Sequence, residues 1–298
     1  MATARVLTAG RDQVGECPIW DADAQALYWV DINGCCIHRL DWASGAQQTW
    51  STPERVGCIA LDTEGRIVAA LESGIYLAHL REPPALQLVC LAPIHHPRPH
   101  MRFNDGRCDA VGRFWVSTMC MDMSPPSPVG AWMCLDSEGL RPTPLGGLIT
   151  ANGLAFSPDG RTMYYSDSHP SVQTIWVCDY DLASGTPGPR RVFVDMAPLP
   201  GRPDGAAVDV EGHYWICAND AGLVHRFDPQ GRLVASLPVP VPKPSMCAFG
   251  GPQRDVLLVT SIRAGDAATP LCGAVFALEP GVQGLPEPRF SRFPVAAS

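Results

Sequence analysis

A short unit of strand, turn and strand recurs about six times along the 298-residue chain. In one copy, for example, the apolar run at 153–156 is followed by a turn at 157–160 and a second run at 163–166. The aligned turns fall at positions 24, 65, 112, 160, 212 and 254, which are 41 to 52 residues apart. That spacing matches a four-stranded propeller blade, and the runs lack the 3.6-residue period of helical repeats. We therefore predict an all-β fold, a six-bladed β-propeller with four-stranded blades, in which residues 1–298 form a single domain.

The residues at the aligned turns support this prediction. Four of the six are glycines, as tight hairpin turns favour, namely Gly65, Gly112, Gly160 and Gly212. The other two aligned positions carry Ala24 and Arg254. The 30 prolines and 28 glycines indicate many turns rather than a low-complexity segment.

The composition of the chain disfavours some classes of binding partner. A net charge of −8 and a pI near 5.4 disfavour nucleic acid and anionic membranes as partners. The first seven residues lack the apolar core of a signal peptide, and no apolar run approaches membrane-spanning length, so we expect a soluble, cytoplasmic protein. Five of the twelve cysteines lie in or beside apolar runs, which predicts reduced, structural thiols: Cys17, Cys58, Cys108, Cys178 and Cys217.

One position of the repeat carries polar residues in most copies. Counting five residues back from the end of each first strand gives Glu16, Gly57, Asn104, Asn152, Asp204 and Ser245. The first strand of a blade lines the central channel, so these positions form a ring at one depth. Carboxylate and amide oxygens bind hard cations, although zinc and iron also accept them. Asn and Asp beside Gly are also ordinary turn formers, but their recurrence at one register favours a functional ring.

Two further features flank this ring. Arg102 lies two residues before Asn104, so it points to the same side of its strand, where it can hold an oxygen-rich substrate or form a structural ion pair. The irregular segments 95–100 and 121–128 flank the third unit, which is typical of rims over a site and also of plain interstrand loops. Prolines separate the three histidines of 95–100, which argues against a metal site there.

The chain resembles the gluconolactonase/regucalcin (senescence marker protein) family over nearly its whole length. The motifs that carry the resemblance, in chain order, are at 15–20 (GECPIW), 102–106 (RFNDG), 152–160 (NGLAFSPDG), 203–205 (PDG) and 248–251 (AFGG). The family is a six-bladed propeller of divalent-metal enzymes that open sugar lactones, so the resemblance implies a small sugar lactone as the partner molecule.

Carried over residue by residue, the resemblance implies a metal site and a substrate site. It implies that Glu16, Asn152 and Asp204 bind one divalent ion (calcium, zinc, manganese or iron), and that Arg102 and Asn104 bind the sugar. Asp122 falls where many members have a substrate-contacting acid, usually Glu. The segment 218–222 (ANDAG) departs from the usual Trp-Gly-Gly of the family, which predicts a reshaped pocket wall.

Two roles for Asp204 remain open at this point. As a catalytic base it would accept the proton of the attacking water, whereas a carboxylate bound to a cation is a poorer base and would act only as a ligand. Two other functions also remain open on the same scaffold: hydrolysis of phosphotriesters or aryl esters, and metal-stabilised binding without catalysis.

Overall fold

A computed structural model of the chain describes residues 4–263 and 269–291. Six antiparallel sheets follow one another along this part of the chain and form a ring, which confirms the six-bladed propeller. Inner strands of neighbouring blades pack against each other around the ring. Each inner strand is therefore buried on both faces, which explains why it appears in the sequence as an apolar run rather than as a strict alternation.

The strands are short and follow the chain from the inner to the outer edge of each blade. The N-terminal strand is β1 (Arg5–Val6). Blade 1 contains β2 (Gly15–Asp21), β3 (Ala26–Asp31), β4 (Cys36–Asp41) and β5 (Gln47–Ser51). Blade 2 contains β6 (Val56–Leu61), β7 (Ile67–Leu71), β8 (Gly74–Leu80) and β9 (Leu86–Pro93). Blade 3 contains β10 (Met101–Cys108), β11 (Phe114–Cys120), β12 (Gly130–Asp136) and β13 (Gly139–Leu148).

The second half of the ring follows the same order. Blade 4 contains β14 (Ala151–Phe156), β15 (Thr162–Asp167), β16 (Thr174–Asp181) and an outer edge split into β17 (Thr186–Pro187) and β18 (Arg191–Asp195). Blade 5 contains β19 (Arg202–Val208), β20 (Tyr214–Asn219), β21 (Leu223–Phe227) and β22 (Leu233–Pro238). Blade 6 contains β23 (Pro244–Gly250), β24 (Val256–Ser261) and β25 (Phe276–Leu278), and its outer strand is β1.

The pairing of β1 with β25 closes the ring. Arg5 lies opposite Ala277 and Val6 opposite Phe276, in antiparallel register. The two ends of the chain thus share one blade, and the blades cannot separate without breaking this sheet. Closure removes the open edge that an incomplete sixth blade would expose.

Every inner strand shifts register against its second strand near the mouth of the channel. The shifts lie between Glu16 and Ile19, Val56 and Cys58, Phe103 and Gly106, Asn152 and Ala155, Pro203 and Ala206, and Pro244 and Cys247. Each of these irregularities begins at, or one residue before, the ring position of the sequence repeat. A β-bulge redirects a side chain at the point where it interrupts the ladder, so the bulges aim the ring residues into the channel.

The turns between first and second strands lie at the opposite end of the channel. The four predicted glycines adopt positive φ there, for example 65° at Gly160. Arg254 also has positive φ, at 55°. In the first blade the left-handed residue is Gln25 (φ 45°), one position after Ala24.

The segment that follows β25 crosses this second end of the channel. The amide of Gly284 donates to the carbonyl of Arg254, and the amide of Phe290 donates to the carbonyl of Leu61. Between them, Glu287 forms an ion pair with buried Arg107 of blade 3 at 3.1 Å. This crossing segment covers the end of the channel opposite the polar ring, so the ring is reached from the other end.

All twelve cysteines are unpaired and nine are buried, which agrees with the predicted structural thiols. Within 4–263 and 269–291 there is no helix that could span a bilayer.

The buried ion pair between Asp109 and Arg113 of blade 3 also contacts blade 4, and it tests the packing of the ring. Asp109 is fully buried and accepts hydrogen bonds from Arg113 and Tyr180. We expect Asp109→Asn to lower the free energy of unfolding by about 3 kcal/mol or more, because the Arg113 guanidinium loses its counter-charge in a buried place. Asp179→Asn is the control, since Asp179 also pairs with an arginine but is 87% exposed. Equal effects of the two variants in denaturant unfolding would contradict this account.

Candidate functional site

The predicted ring residues converge at the open end of the channel. Asn104 donates through Nδ2 to Oδ1 of Asn152 in the next blade, at 2.8 Å. Asp204 and Glu16 are near enough for the charge of Asp204 to raise the pKa of Glu16. The structure thus brings together four side chains that the sequence places almost 190 residues apart at the extremes.

The two remaining ring positions add no oxygen to this group. Gly57 has no side chain, and a Cβ there would lie 2.4 Å from the carbonyl oxygen of Phe103, so the position requires glycine. Ser245 uses its hydroxyl to donate to the carbonyl of Gly15, across the junction between blades 6 and 1. The ring therefore presents its polar atoms from blades 1, 3, 4 and 5.

A chain of hydrogen bonds fixes the amide groups of the ring. Arg102 Nη1 donates to Asn104 Oδ1 at 2.6 Å, and Asn104 donates to Asn152. Asn152 Nδ2 then donates to Ser168 Oγ at 2.6 Å, and Ser168 Oγ donates to the carbonyl of Pro203. This chain sets the orientation of both amides, so that Asn152 turns its carbonyl oxygen to the channel and keeps one lone pair free for another partner.

Asp204 is held by one oxygen. Its Oδ2 accepts a hydrogen bond from Nδ2 of Asn219 at 2.7 Å, while no hydrogen bond from the described residues reaches Oδ1. Asp204 is 6% exposed, and Asn219 is 3% exposed. Asn219 therefore fixes the rotation of the carboxylate and leaves Oδ1 directed to the channel.

Positive charge at the depth of the ring does not balance its two carboxylates, Glu16 and Asp204. Burial raises the pKa of Glu16 well above its usual range, and the charge of Asp204 raises it further. The hydrogen bond from the Cys17 amide and the charge of Arg102 lower this pKa but do not cancel the shift. Burial also raises the pKa of Asp204, although the Asn219 hydrogen bond and the Arg202 charge oppose the shift. Buried like charges repel unless a proton or a cation lies between them.

This donor set fits a divalent cation. Glu16, Oδ1 of Asp204 and the amide oxygen of Asn152 are three hard oxygen donors, and hydrogen bonds fix the orientation of Asp204 and Asn152. A cation among them would offset the burial that raises both carboxyl pKa values and the charge of Asp204 that raises the pKa of Glu16. The predicted ligands thus meet the chemical requirement, and their assignment as ligands remains a prediction.

Arg102 lies beside this group as a half-buried cation. Burial lowers its pKa to about 10, with the charge of Glu16 opposing the shift, so the guanidinium stays charged at neutral pH. Its Nη1 donates to the carbonyl of Phe103 and to Asn104. Arg102 and Asn104 form one hydrogen-bonded unit at the channel wall.

Asp122 lies apart from the ring. It is exposed in the loop after β11, where its Oδ1 accepts a hydrogen bond from the amide of Ser124. The two predicted rim segments meet here, since Arg98 Nη1 donates to Ser127 Oγ at 2.6 Å. A cavity of about 340 Å³ lies between these segments, and Asp122 is part of its wall. The structure gives Asp122 no contact with Arg102 or Asn104, and its role in binding stays a prediction.

Two residues of the site were missed by the sequence reasoning. Ser168 and Asn219 lie at or just after the ends of the second strands of blades 4 and 5, next to the bulges of the inner strands. The departure of segment 218–222 from the family wording was a signal for Asn219. No pattern in the sequence distinguishes Ser168 from the other serines.

A second acidic group lies at the covered end of the channel. Asp209, Glu211 and His213 present ligand atoms within 4.8 Å of one another. However, Asp209 Oδ2 accepts hydrogen bonds from Trp215 and Arg226, and Oδ1 accepts the amides of Glu211 and His213. Asp209 is therefore the cap of a turn and the partner of an ion pair, and its lone pairs are already used.

The raised pKa of Asp204 predicts a pH effect in protein stripped of divalent ions. Burial raises this pKa from 3.8 to about 7, so the folded state holds a proton that the unfolded chain has released. The free energy of unfolding therefore falls as the pH rises through that interval. Asp204→Asn should flatten this dependence and also relieve Glu16, whereas Asp122→Asn, a change at an exposed carboxylate, should not. Parallel curves for wild type and Asp204→Asn in denaturant unfolding would contradict the assignment.

Comparison with known proteins agrees with the family resemblance of the sequence motifs. Residues 14–263 match the family model described as SMP-30/Gluconolactonase/LRE-like region. The chain is 38% identical over 284 residues to 6-deoxy-6-sulfogluconolactonase of Pseudomonas putida, covering 93% of this chain and 95% of that protein. It is 34% identical over 299 residues to L-arabinolactonase of Azospirillum brasilense, covering 98% and 96%.

A solved structure is similar over almost the whole chain. The calcium-binding protein regucalcin from Agrobacterium tumefaciens strain C58 superposes with a TM-score of 0.89 at 28% identity, covering 97% of this chain and 98% of that one. The resemblance inferred from the motifs is confirmed. The chain belongs to the SMP-30/gluconolactonase/LRE-like family.

Proposed function

We propose that this protein is a divalent-metal-dependent sugar lactonase, which hydrolyses an aldonolactone to the aldonic acid. The observation that carries the proposal is the pair of neighbouring carboxylates, half-buried Glu16 and buried Asp204, which share a channel with a hydrogen-bonded Arg102–Asn104 unit. Relatives named for hydrolysis of L-arabinolactone and 6-deoxy-6-sulfogluconolactone support the reaction class. We further propose that residues 1–298 act as one domain.

The proposed metal ligands are Glu16, Asn152 and Asp204. The chemistry that such an ion supplies is Lewis-acid polarisation of a carbonyl and a lowered pKa of water. Calcium, zinc, manganese and ferrous iron all accept this set of oxygen donors.

The other groups position the substrate. Arg102 is a charged donor beside the carboxamide of Asn104, and together they suit the hydroxyl and ring oxygens of a sugar. A pocket for aryl esters would need an apolar wall at this place. The buried polar unit therefore favours a polyhydroxylated substrate over an aryl ester or a phosphotriester.

Asp204 is the proposed catalytic base. Oδ1 accepts no hydrogen bond from the described residues, so this oxygen has a lone pair available for a proton of the attacking water. The water oxygen forms a bond to the lactone carbonyl carbon while Asp204 accepts a proton from that water. When the bond from this carbon to the ring oxygen breaks, the proton on Asp204 passes to the ring oxygen, which becomes a hydroxyl. Asn219 holds Oδ2 throughout, so that Oδ1 faces the reaction.

Two substitutions distinguish the role of Asp204 as catalytic base from its role as metal ligand. Asp204→Ala removes both functions, so turnover and the metal-dependent rise in Tm should both be lost or strongly reduced. Asp204→Asn keeps an oxygen donor but accepts no proton, so we expect it to keep a metal-dependent rise in Tm and to lose turnover by about 100-fold or more. The assay is acid release from aldonolactones by chelator-treated protein with single metals restored, after subtraction of spontaneous hydrolysis.

The outcomes have distinct meanings. Near-normal turnover by Asp204→Asn would reduce Asp204 to a ligand. An absence of turnover by wild type with any restored metal, combined with hydrolysis of aryl esters or phosphotriesters, would overturn the lactonase proposal.

A further inference from the structure

A second ring of side chains lies one step above the oxygen ring, toward the mouth. Two residues before each ring position stand Val14, Arg55, Arg102, Thr150, Arg202 and Lys243. Alternate residues of a strand point to the same side, and the hydrogen bond from Arg102 to Asn104 shows this for blade 3. In blade 5 the Arg202 charge is close enough to lower the pKa of Asp204. Four of the six blades thus place a cation at the mouth.

The positions without a cation have a different local structure. In blades 1 and 4 an aspartate at the end of the second strand accepts the backbone amides of this level. Asp31 accepts the amide of Val14, and Asp167 accepts the amide of Thr150. The cations therefore belong to the four blades that lack this backbone cap.

The cations outnumber the carboxylates that pair with them. Arg55 pairs with Glu72 at 3.1 Å, whereas Arg202 and Lys243 share the single carboxylate of Asp220. Arg202 and Lys243 therefore carry one positive charge more than their shared carboxylate balances. Two further acids near the rim accept hydrogen bonds from neutral donors, Glu54 from Ser73 and Asp122 from the amide of Ser124, and neither forms an ion pair with Arg202 or Lys243.

One excess positive charge lies between blades 5 and 6. Although burial opposes it, hydrogen bonds from Arg202 and Lys243 hold the pKa of Asp220 below its usual value of 3.8, so this carboxylate stays ionised. Arg202 and Lys243 are each 27% exposed in their side chains, so both reach solvent at the mouth. Among the described residues Asp220 is the single partner of the Lys243 ammonium, which carries three N–H donors.

Lys243 is the one lysine in the whole sequence, among 22 basic residues. Every other basic residue counted there is an arginine. A lysine on a flexible stem presents a compact charge that can follow a small anion, whereas an arginine offers a fixed planar fork.

We propose that Arg202 and Lys243 form a subsite for an anionic group at the end of the sugar chain remote from the lactone carbonyl. The preferred substrate is then an aldonolactone that carries a sulfonate, a phosphate or a carboxylate at that end. This inference rests on the proposed lactonase function. The positive charge that Asp220 leaves unbalanced at Arg202 and Lys243 attracts such an anionic group.

The test compares charged and neutral lactones of the same carbon skeleton. The charged lactones are gluconolactones with a sulfonate on C6, a phosphate on O6 or C6 oxidised to a carboxylate. We expect wild type to hydrolyse at least one of them with a higher kcat/KM than gluconolactone. The order of their kcat/KM values identifies the preferred anion. Raising the ionic strength should increase KM for the charged lactone more than for gluconolactone. In Lys243→Gln the ratio of charged to neutral kcat/KM should fall roughly tenfold, as for the loss of one charge-assisted hydrogen bond.

Two matched variants serve as controls. Lys243→Arg keeps the charge and should restore most of the ratio. Arg191→Gln removes a charge from an outer strand, where the arginine is 58% exposed, and should leave the ratio at the wild-type value.

The failures of the two proposals can be distinguished. If wild type hydrolyses gluconolactone at least as well as all three charged lactones, or if Lys243→Gln leaves the ratio unchanged, the anion subsite is overturned and the lactonase function stands. If neither these four lactones nor L-arabinolactone is hydrolysed with any restored metal, the lactonase function fails first.

Discussion

The carboxylates of Glu16 and Asp204 repel each other across the mouth of a channel whose width is set by the ring of blades. In an open sheet the strands that carry them could move apart. Here β1 completes blade 6 and joins the two ends of the chain, so separation would break a sheet. The folded chain therefore keeps two acids close in a buried place, and the energy of that arrangement is available for binding a cation or a proton.

The hydrogen bonds around the two acids are consistent with this constraint. Asn219 and Ser168 are neutral donors, so they orient Asp204 and Asn152 without cancelling the negative charge. Arg102 is cationic but donates to Asn104 and to a backbone carbonyl, and it lies one step above the ring. Positive charge and oxygen donors are thus arranged at two depths, which suits a small cation below and an oxygen-rich or anionic molecule above.

Much of this architecture could be predicted from the sequence because it repeats. A unit of about 41 to 52 residues specifies blades, and equivalent positions of a closed ring necessarily lie at one depth. That reasoning was sufficient to group Glu16, Asn104, Asn152 and Asp204. It also led to Arg102, because alternate residues share one side of a strand.

Features that depend on contacts between distant segments could not be predicted in this way. The pairing of β1 with β25 joins residues more than 260 positions apart, and two residues of strand carry little pattern of their own. The bulges arise where the inner strand fits against its neighbour, so they are not visible in one strand alone. Ser168 is part of the site because its hydroxyl bridges Asn152 and Pro203, a relation between blades 4 and 5 that no local motif records.

The location of the metal is the central claim, and anomalous diffraction tests it most directly. Crystals of the chelator-treated protein soaked in manganese would be measured with and without the ion. The account predicts one strong anomalous peak at the open end of the channel, with oxygens of Glu16, Asn152 and Asp204 at about 2.0–2.6 Å, the range of hard divalent cations. A peak at Asp209, Glu211 and His213 alone, or no peak in the channel at saturating manganese, would contradict it.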